Sequence, residues 1–287
     1  MDKENKYGFD QIKSWEQGGI RLSYGVAGRE EAPVLLLLHA IRNTKWLFAG
    51  IVPELAKNYR VLAVDLRGHG ASAAEGPYTF EQVTEDLAQW LEAEDIRLQG
   101  LVAASFSAVP AQMLASRLPE RIRRLVLLDG GFYRLDQVPG FDLKKTVNRL
   151  TNTRFGSVEE AEWLFAERYR GPQMPAGWMA QELRRLEDGS FGYLLPEEAF
   201  RGYFQAYSDF DSEGLFASVV CPRLLLLADE QLLPAEERSF YRAAVEAYQE
   251  GSRQGDLHIH MIDGAQHLLM VTHPRETVEQ IVTFIQK

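Results

Sequence analysis

The sequence predicts an α/β protein whose doubly wound, mostly parallel sheet is interrupted by an inserted helical segment. Short apolar runs alternate with amphipathic stretches along most of the chain, and this alternation is typical of helices that cover both faces of a parallel sheet. Apolar runs of about four to eight residues indicate strands that are buried on both faces. Six such runs cover residues 34–38, 60–64, 98–104, 125–128, 224–227 and 257–262.

The helices predicted between these strands are amphipathic. Segments 83–94 and 240–248 carry apolar residues at helical spacing. The last helix begins at Pro274, which suits a first helical turn because that position needs no N–H donor. Its apolar residues Val278, Ile281, Val282 and Ile285 share one face. The first 28 residues contain Gly18-Gly19 and predict antiparallel strands at the edge of the sheet.

Composition excludes several classes of protein. With 46% hydrophobic residues among 287, the chain is too apolar to be disordered. A net charge of −10 argues against binding to nucleic acid or to an anionic membrane. The single cysteine, Cys221, rules out an intramolecular disulfide and a cysteine-based zinc site. Because no segment is apolar enough for a signal peptide or a membrane span, we expect a soluble, cytoplasmic protein.

Residues 131–218 interrupt the alternation of strands and helices. They contain no convincing buried strand and are rich in aromatic residues. The sequence therefore predicts a helical cap at 131–218, inserted into a core made of residues 1–130 and 219–287. A cap over the carboxyl ends of the strands would form the wall of an apolar pocket. Trp163, Trp178 and the aromatic cluster at 200–210 are candidates for that wall, or alternatively for the interior of the cap itself.

The clearest chemical signal lies in residues 100–115, GLVAASFSAVPAQMLA. An apolar strand ends at Ala104, Ser105 follows, and a helical pattern begins almost at once. A serine on such a sharp turn projects its Oγ from the sheet, and the residues two positions away on either side must be small. Ala103 and Ser107 satisfy that limit. Ser105 is therefore a candidate nucleophile, although an ordinary buried serine would give the same short motif.

Four motifs in order resemble the α/β-hydrolase superfamily, and they span nearly all of the chain. LLLLHAIRNTKW at 35–46 is similar to the strand that ends in His-Gly, and VDLRGHGAS at 64–72 to the Asp-x-Arg-Gly-His-Gly-x-Ser turn. Ser105 occupies the position of the nucleophile and is followed by LPERIRRLVLLDGG at 118–131. IDGAQHLLMVTHP at 262–274 resembles the histidine segment before the last helix. The resemblance implies an α/β-hydrolase fold with a helical cap.

The resemblance also implies roles for individual residues. Ser105 would be the nucleophile and His267 the general base that activates it. The oxyanion hole would use the backbone N–H of Phe106, the residue after the nucleophile, and that of Ile41 in the loop after the first parallel strand. In this sequence Ala40 replaces the usual glycine of that loop.

The acid that orients His267 stays open between three residues. The usual position, after the strand at 224–227, holds Gln231 rather than an acid. Glu230 and Asp229 are close to that position. A known variation in the superfamily takes the acid from the preceding strand, where LVLLDGG offers Asp129. Asp129 is the favoured acid, although Asp before Gly-Gly is also a common turn residue.

The function implied by the resemblance is that of an esterase-like serine hydrolase, without metal or cofactor, acting on a small apolar carboxylic ester or lactone. Hydrolysis of carbon–carbon bonds and cofactor-free peroxidation share the same catalytic residues and remain alternatives. A ligand-binding or signalling protein that turns over slowly is a rival from another class. No phosphate-binding glycine loop follows the first parallel strand, so no nucleotide cofactor is expected. The oligomeric state stays unknown.

Overall fold

The computed structural model describes residues 7–73, 75–170, 174–252 and 256–287. The strands are β1 (Gln11–Gln17), β2 (Ile20–Ala27), β3 (Val34–Leu38), β4 (Arg60–Val64), β5 (Leu98–Ala104), β6 (Leu125–Leu128), β7 (Leu183–Arg185), β8 (Phe191–Tyr193), β9 (Arg223–Leu227) and β10 (Leu257–Met261). The helices are α1 (Val52–Leu55), α2 (Phe80–Ala93), α3 (Ala108–Arg117), α4 (Leu143–Thr151), α5 (Val158–Arg168), α6 (Glu197–Asp209), α7 (Ser212–Ser218), α8 (Ala235–Gly251), α9 (Leu269–Thr272) and α10 (Pro274–Gln286).

Eight strands form one central sheet in the order β1-β2-β4-β3-β5-β6-β9-β10. The pairings of β1 with β2 and of β2 with β4 are antiparallel, and all other neighbours in the sheet are parallel. This arrangement confirms the predicted fold class, a doubly wound and mostly parallel sheet. The glycine pair at 18–19 lies between β1 and β2, where both residues have positive φ angles that glycine adopts without strain.

The hydrophobic core lies on both faces of the sheet. Along β3, Leu36 and Leu38 face a cluster that includes Trp90 of α2, whereas Leu35 and Leu37 face a cluster that includes Ile281 of α10. Successive side chains of a strand point to opposite faces, so a strand covered on both sides is apolar at every position. This burial explains why the β3 sequence contains no polar alternation.

The segment between β6 and β9 lies outside the eight-stranded sheet and contains α4 to α7. It also contains a short antiparallel hairpin of β7 and β8, in which Leu183 pairs with Tyr193. The sequence did not predict this hairpin, because strands of only three residues show no measurable periodicity. In the described part of the chain, no helix is both long and apolar enough to cross a membrane.

Candidate active site

The candidate site forms where parallel strands end along one edge of the sheet. Ser105 directly follows β5 and Asp129 directly follows β6. His267 lies in the loop between β10 and α9. Ser105 and Asp129 both adopt left-handed backbone conformations, with φ angles of 57° and 50°. Such angles are uncommon for residues other than glycine and cluster at functional sites.

The turn at Ser105 is enclosed by small residues. A Cβ atom added at Gly130 would lie 2.3 Å from the carbonyl oxygen of Ser105 and 2.6 Å from its Cα, so only glycine fits beside the turn. Ala103 is fully buried in the core. The Ser107 Oγ lies 3.0 Å from the carbonyl oxygens of both Leu38 and Ala104. Ser107 therefore ties the turn to the end of β3 and makes no contact with His267.

A chain of hydrogen bonds joins Ser105, His267 and Asp129. The Ser105 Oγ lies 2.8 Å from Nε2 of His267, and Nδ1 of His267 lies 2.6 Å from Oδ2 of Asp129. An Nδ1–H that donates to Asp129 leaves Nε2 as the acceptor for the serine hydroxyl. Ser105 is largely buried, with 9% of its surface exposed.

Asp129 is held by two further donors. Its Oδ1 accepts a hydrogen bond of 2.9 Å from the Ala228 N–H and another from the hydroxyl of Tyr241 on α8. Burial and the nearby Asp129 carboxylate raise the pKa of Tyr241, so its hydroxyl remains a donor at every physiological pH. The carboxylate is thus fixed while its Oδ2 faces His267. The sequence analysis did not single out Tyr241, because nothing in the α8 pattern distinguishes it from a core tyrosine.

The other two candidate acids lie elsewhere. Glu230 accepts a hydrogen bond of 2.8 Å from the Nε of Arg242 on the surface. Asp229 accepts one bond of 2.8 Å from the Gln231 N–H and one of 2.9 Å from the Gly264 N–H. The second bond connects the end of β9 to the loop that carries His267. The structure therefore brings Asp129 to His267, while Asp229 braces the histidine loop and Glu230 is bound by Arg242.

The loop of residues 39–44 after β3, here called the β3 loop, is held by buried histidines. His39 Nε2 accepts a 3.0 Å hydrogen bond from the Leu66 N–H, and burial lowers the His39 pKa to about 3. His69 Nε2 accepts a 3.3 Å bond from the Arg42 N–H, and burial lowers the pKa of His69 as well. Both imidazoles are therefore neutral, and each holds the loop through the hydrogen bond that its Nε2 accepts.

Some backbone N–H groups of the β3 loop make hydrogen bonds and others do not. Arg42 N–H donates to His69, and Asn43 N–H donates to the Ala40 carbonyl at 3.1 Å. Among the residues that the structure describes, no hydrogen bond uses the Ile41 N–H. Phe106 lies at the start of a helical turn, where backbone N–H groups lack partners within the helix. The N–H groups of Ile41 and Phe106 thus stay candidate donors for an oxyanion hole.

Two cavities are lined by residues of this region, one by Asp129 and His267 and the other by Arg42 and Asn43, and Ser105 is not among the lining residues of either. One of about 360 Å³, here called the histidine-side cavity, is lined by Asp129, Tyr133, Tyr169, Leu233, Phe240 and His267 among others. The other of about 170 Å³, here called the β3-loop cavity, is lined by Arg42, Asn43, Phe165, Tyr169, Glu182 and Tyr193 among others. Arg168 and Tyr169 belong to both, so the end of α5 separates them.

The aromatic residues singled out from the sequence do not form these walls. Trp163 is 60% exposed. Trp178 is buried against Phe165, with ring centroids 4.8 Å apart. In the cluster at 200–210, Tyr203 packs on Phe106 with centroids 5.3 Å apart and belongs to the core. The observed wall uses Tyr133, Phe165, Tyr169, Tyr193 and Phe240 instead, and their single positions in the sequence give no pattern that could identify them.

The titratable groups give no metal centre in the described residues, where no group of three or more His, Cys, Asp or Glu side chains is arranged around a common point. His258, one of the two histidines that alternate along β10, lies 2.9 Å from a carboxylate oxygen of Asp256.

Sequence comparison connects the chain to a family. The profile of the family described as "Alpha/beta hydrolase family" matches residues 35–280. A protein named proline iminopeptidase PfmaB from Pestalotiopsis fici is 33% identical over 121 residues, which cover 39% of this chain and 41% of that relative. The chain thus matches about two fifths of the length of this relative, 41%.

Two further similarities extend over almost the whole chain. A protein named 2-(acetamidomethylene)succinate hydrolase from Mesorhizobium japonicum is 23% identical over 266 residues, 92% of each chain. A crystal structure of E-2-(acetamidomethylene)succinate hydrolase superposes with a TM-score of 0.77 at 21% identity, covering 96% of this chain and all (100%) of that one. At this level of identity the superposition shows the common fold.

Proposed function

Because this chain belongs to the alpha/beta hydrolase family, we propose that it is a cofactor-free serine hydrolase that cleaves a carboxylic ester or lactone. The observation that carries the proposal is the continuous hydrogen-bonded chain from the Ser105 Oγ through His267 to Asp129, with bonds of 2.8 and 2.6 Å. This order of nucleophile, base and acid activates a hydroxyl group for attack on a carbonyl carbon.

In the first half of the proposed reaction, Ser105 becomes acylated. Its Oγ attacks the carbonyl carbon while Nε2 of His267 takes the hydroxyl proton, and Asp129 stabilises the resulting imidazolium. The carbonyl oxygen becomes negatively charged and accepts hydrogen bonds from the N–H groups of Ile41 and Phe106. His267 then returns the proton to the leaving oxygen, the carbon–oxygen bond of the ester breaks, and the acyl group remains on Ser105.

In the second half, water removes the acyl group. Nε2 of His267 takes a proton from a water molecule, whose oxygen attacks the acyl carbon. The same two N–H groups stabilise the second oxyanion. The bond between the acyl carbon and the Ser105 Oγ breaks as His267 gives its proton back to the serine. The products are a carboxylic acid and free enzyme, and no metal or redox group takes part in any step.

We further propose that residues 131–218 act as a cap over residues 1–130 and 219–287, and that the cap selects small, largely apolar substrates. Arg168 and Tyr169, at the end of α5, line both cavities. Because His267 must protonate the leaving group, that group has to lie on the side of the histidine-side cavity. The alcohol would therefore contact Tyr133 and Phe240 there.

The proposal is tested with a fluorophosphonate probe and a panel of p-nitrophenyl esters of increasing acyl length. We expect stoichiometric labelling and turnover of short-chain esters by the wild-type protein. Ser105→Ala should abolish labelling and lower turnover by a factor of about 10⁴ or more. Ser107→Ala is the matched control, because Ser107 makes no contact with His267 and should still permit labelling.

Two results would count against the proposal. Labelling that persists in Ser105→Ala would move the nucleophile elsewhere. A wild-type protein that neither reacts with the probe nor hydrolyses any ester would favour a ligand-binding role. Because one relative is named as a peptidase, the panel includes a matched anilide, whose faster cleavage would assign the reaction to amides.

A further inference from the structure

The β3 loop contains a tight turn with a strained residue. The Asn43 N–H donates to the Ala40 carbonyl at 3.1 Å, so residues 40–43 form a turn. Arg42 lies within it and has a φ angle of 63°, a left-handed conformation that is uncommon for residues other than glycine. Such a conformation persists only where the surrounding contacts enforce it. Ile41, the proposed oxyanion donor, directly precedes Arg42, so the direction of its N–H depends on how this turn is held.

The core holds one side of this turn, beside the residues that follow Ser105. The Arg42 N–H donates to Nε2 of His69 at 3.3 Å. The His69 ring packs against Phe106, with ring centroids 5.7 Å apart. The Ser107 Oγ lies 3.0 Å from the carbonyl oxygen at the end of β3. The β3 loop and the turn at Ser105 are therefore joined from the core side.

The hairpin of β7 and β8 holds the other side of the loop. Glu182 directly precedes β7, and Tyr193 is the last residue of β8. They lie at the same end of the hairpin, because the Leu194 N–H donates to the Glu182 carbonyl at 2.9 Å. The Tyr193 hydroxyl accepts a 2.9 Å bond from Nη1 of Arg42, whose Cζ lies 5.1 Å from the centre of the tyrosine ring. This end of the hairpin therefore contacts the strained turn.

Glu182 makes a second contact between the hairpin and the β3 loop. Its Oε1 accepts hydrogen bonds from the Thr44 N–H at 2.9 Å and from the Thr44 hydroxyl at 2.8 Å. Glu182 is 1% exposed, and its Oε2 has no hydrogen-bond partner among the described residues. Burial raises the pKa of Glu182 to about 8, so the side chain is a neutral acid at pH 7. Because a buried polar atom without a partner destabilises the fold, a hydrophobic side chain would serve packing alone better at this position.

We propose that Glu182 is a positioning residue for the proposed reaction: its hydrogen bonds with Thr44 fix the β3 loop so that the Ile41 N–H stays in place for the oxyanion. The hairpin thereby holds the strained turn from one side while the core holds it from the other. Catalysis depends on this contact as well as on the catalytic residues themselves. The inference rests on the proposed function, because the oxyanion forms only if Ser105 attacks a carbonyl group.

A displaced oxyanion donor should affect the transition state more than substrate binding. Negative charge develops on the carbonyl oxygen only during attack, so a donor aimed at it raises kcat rather than lowering KM. Both halves of the proposed reaction pass through an oxyanion, so both should slow together. Glu182→Leu removes the acceptor for Thr44 and should lower kcat on a short p-nitrophenyl ester by about 10- to 100-fold, with KM within about threefold of wild type.

Two further variants separate the hydrogen bonds from other effects of the substitution. Glu182→Gln keeps a carbonyl oxygen for Thr44 and is uncharged like the neutral acid, so it should restore kcat to within a few-fold of wild type. Thr44→Val removes only the hydroxyl half of the contact and should lower kcat by about 3- to 10-fold. Glu187→Leu is the matched control, because Glu187 is exposed between β7 and β8 and should leave kcat and KM unchanged.

A transition-state analogue gives a readout that a merely structural role would not move. The Ser105 Oγ adds to the carbonyl carbon of a trifluoromethyl ketone, the hydroxyl proton passes to His267, and the resulting oxyanion needs the same donors as the proposed reaction. The Ki of the ketone should rise in Glu182→Leu by the factor by which kcat/KM falls. Melting curves for each variant show whether it is folded.

The inference is overturned if a folded Glu182→Leu keeps the wild-type kcat, if its kcat falls while the Ki of the ketone stays unchanged, or if Glu182→Gln loses as much kcat as Glu182→Leu. If Glu182→Leu does not fold, unchanged kcat and Ki in Thr44→Val overturn it instead. A wild-type protein labelled by fluorophosphonate that gives one of these results retains its proposed function. Absence of labelling and of all ester turnover would overturn both.

Discussion

At the scale of single residues, the geometry around Asp129 decides how the site can operate. Its Oδ1 accepts bonds from Ala228 and Tyr241, so only Oδ2 is directed at His267. A carboxylate held in this way keeps the imidazole in one orientation and one tautomer. In the proposed mechanism, the acid thus prepares His267 to accept a proton from Ser105.

We expect Asp129→Asn to lower kcat by about 10⁴-fold, because an amide neither stabilises an imidazolium nor enforces the tautomer; this value is taken from the corresponding substitution in serine proteases. Glu230→Gln should leave kcat within a few-fold of wild type, since Glu230 binds Arg242 on the surface. Steady-state rates on one p-nitrophenyl ester, with melting curves for both variants, provide the measurement. A large loss in Glu230→Gln alone would exclude Asp129 as the acid.

The sequence could locate Ser105 and His267, because each lies in a local motif with characteristic neighbours. It favoured Asp129 as the acid but left Glu230 and Asp229 open as alternatives. The contact that distinguishes them joins His267 and Asp129, which are 138 positions apart. All three acids follow buried strands of similar sequence. Glu182 gave no signal at all, since its burial and its raised pKa come from packing between distant segments.

At the scale of structural elements, α8 contributes one side chain to the site and another to the core. Tyr241 donates to Asp129, whereas Tyr248, seven positions later, donates to Oε1 of Gln112 at 3.0 Å. Both tyrosines are buried. The two hydroxyl groups therefore make hydrogen bonds of similar burial, but only one of them reaches the candidate catalytic residues.

We expect Tyr241→Phe to lower kcat and to shift the acidic limb of the pH–rate profile upwards. Without the tyrosine donor, the Asp129 carboxylate interacts more strongly with His267 and favours its protonated form. Tyr248→Phe should lose about 0.5–1.5 kcal/mol of stability, as for a neutral hydrogen bond, without a change in the profile. Identical profiles for wild type and Tyr241→Phe would show that Tyr241 is only a structural residue.

The turn between β5 and α3 tolerates no side chain at Gly130. We expect Gly130→Ala to destabilise the protein by about 1–3 kcal/mol, as overpacking typically does, and to displace Ser105. Gly50→Ala is the control, because its added Cβ would be 3.6 Å from the nearest atom. Chemical denaturation and probe labelling measure the two effects. A fully labelled, stable Gly130→Ala variant would contradict the tight turn described here.

Elements buried on both faces were predictable from the sequence, and exposed short ones were not. The predicted strands at 34–38, 60–64, 98–104 and 125–128 agree with β3 to β6 to the residue. The long apolar runs of these strands follow directly from burial. The hairpin of β7 and β8 depends on tertiary contacts, such as the bond from the Leu194 N–H to the Glu182 carbonyl at 2.9 Å, so its local sequence carries little information.

At the scale of the whole molecule, buried ionisable groups link stability to pH. The pKa of Glu182 rises from 4.5 to about 8 on folding. A native state that binds the extra proton loses stability as the pH rises between those values. The pKa of His39 falls from 6.5 to about 3, so its contribution is lost as the pH falls between those values.

We expect Glu182→Gln to become progressively more stable than wild type as the pH rises from 4.5 to 8, because the amide has no charge to bury. Below pH 4.5 the difference in the free energy of unfolding between the two proteins should no longer change with pH. Urea unfolding at several pH values gives the difference in the free energy of unfolding. A difference that stays constant with pH would mean that Glu182 titrates normally in the folded protein.

The most direct test of the proposed chemistry is to trap the acyl-enzyme. Wild-type protein is mixed with a short p-nitrophenyl ester, quenched in acid within the first turnovers, and analysed by intact mass and peptide mapping. We expect a mass increase equal to the acyl group, located on Ser105, and a burst of p-nitrophenol equal to the enzyme concentration. The acyl group should be absent in Ser105→Ala. Turnover without any acylated Ser105, or an acyl group on another residue, would contradict the account.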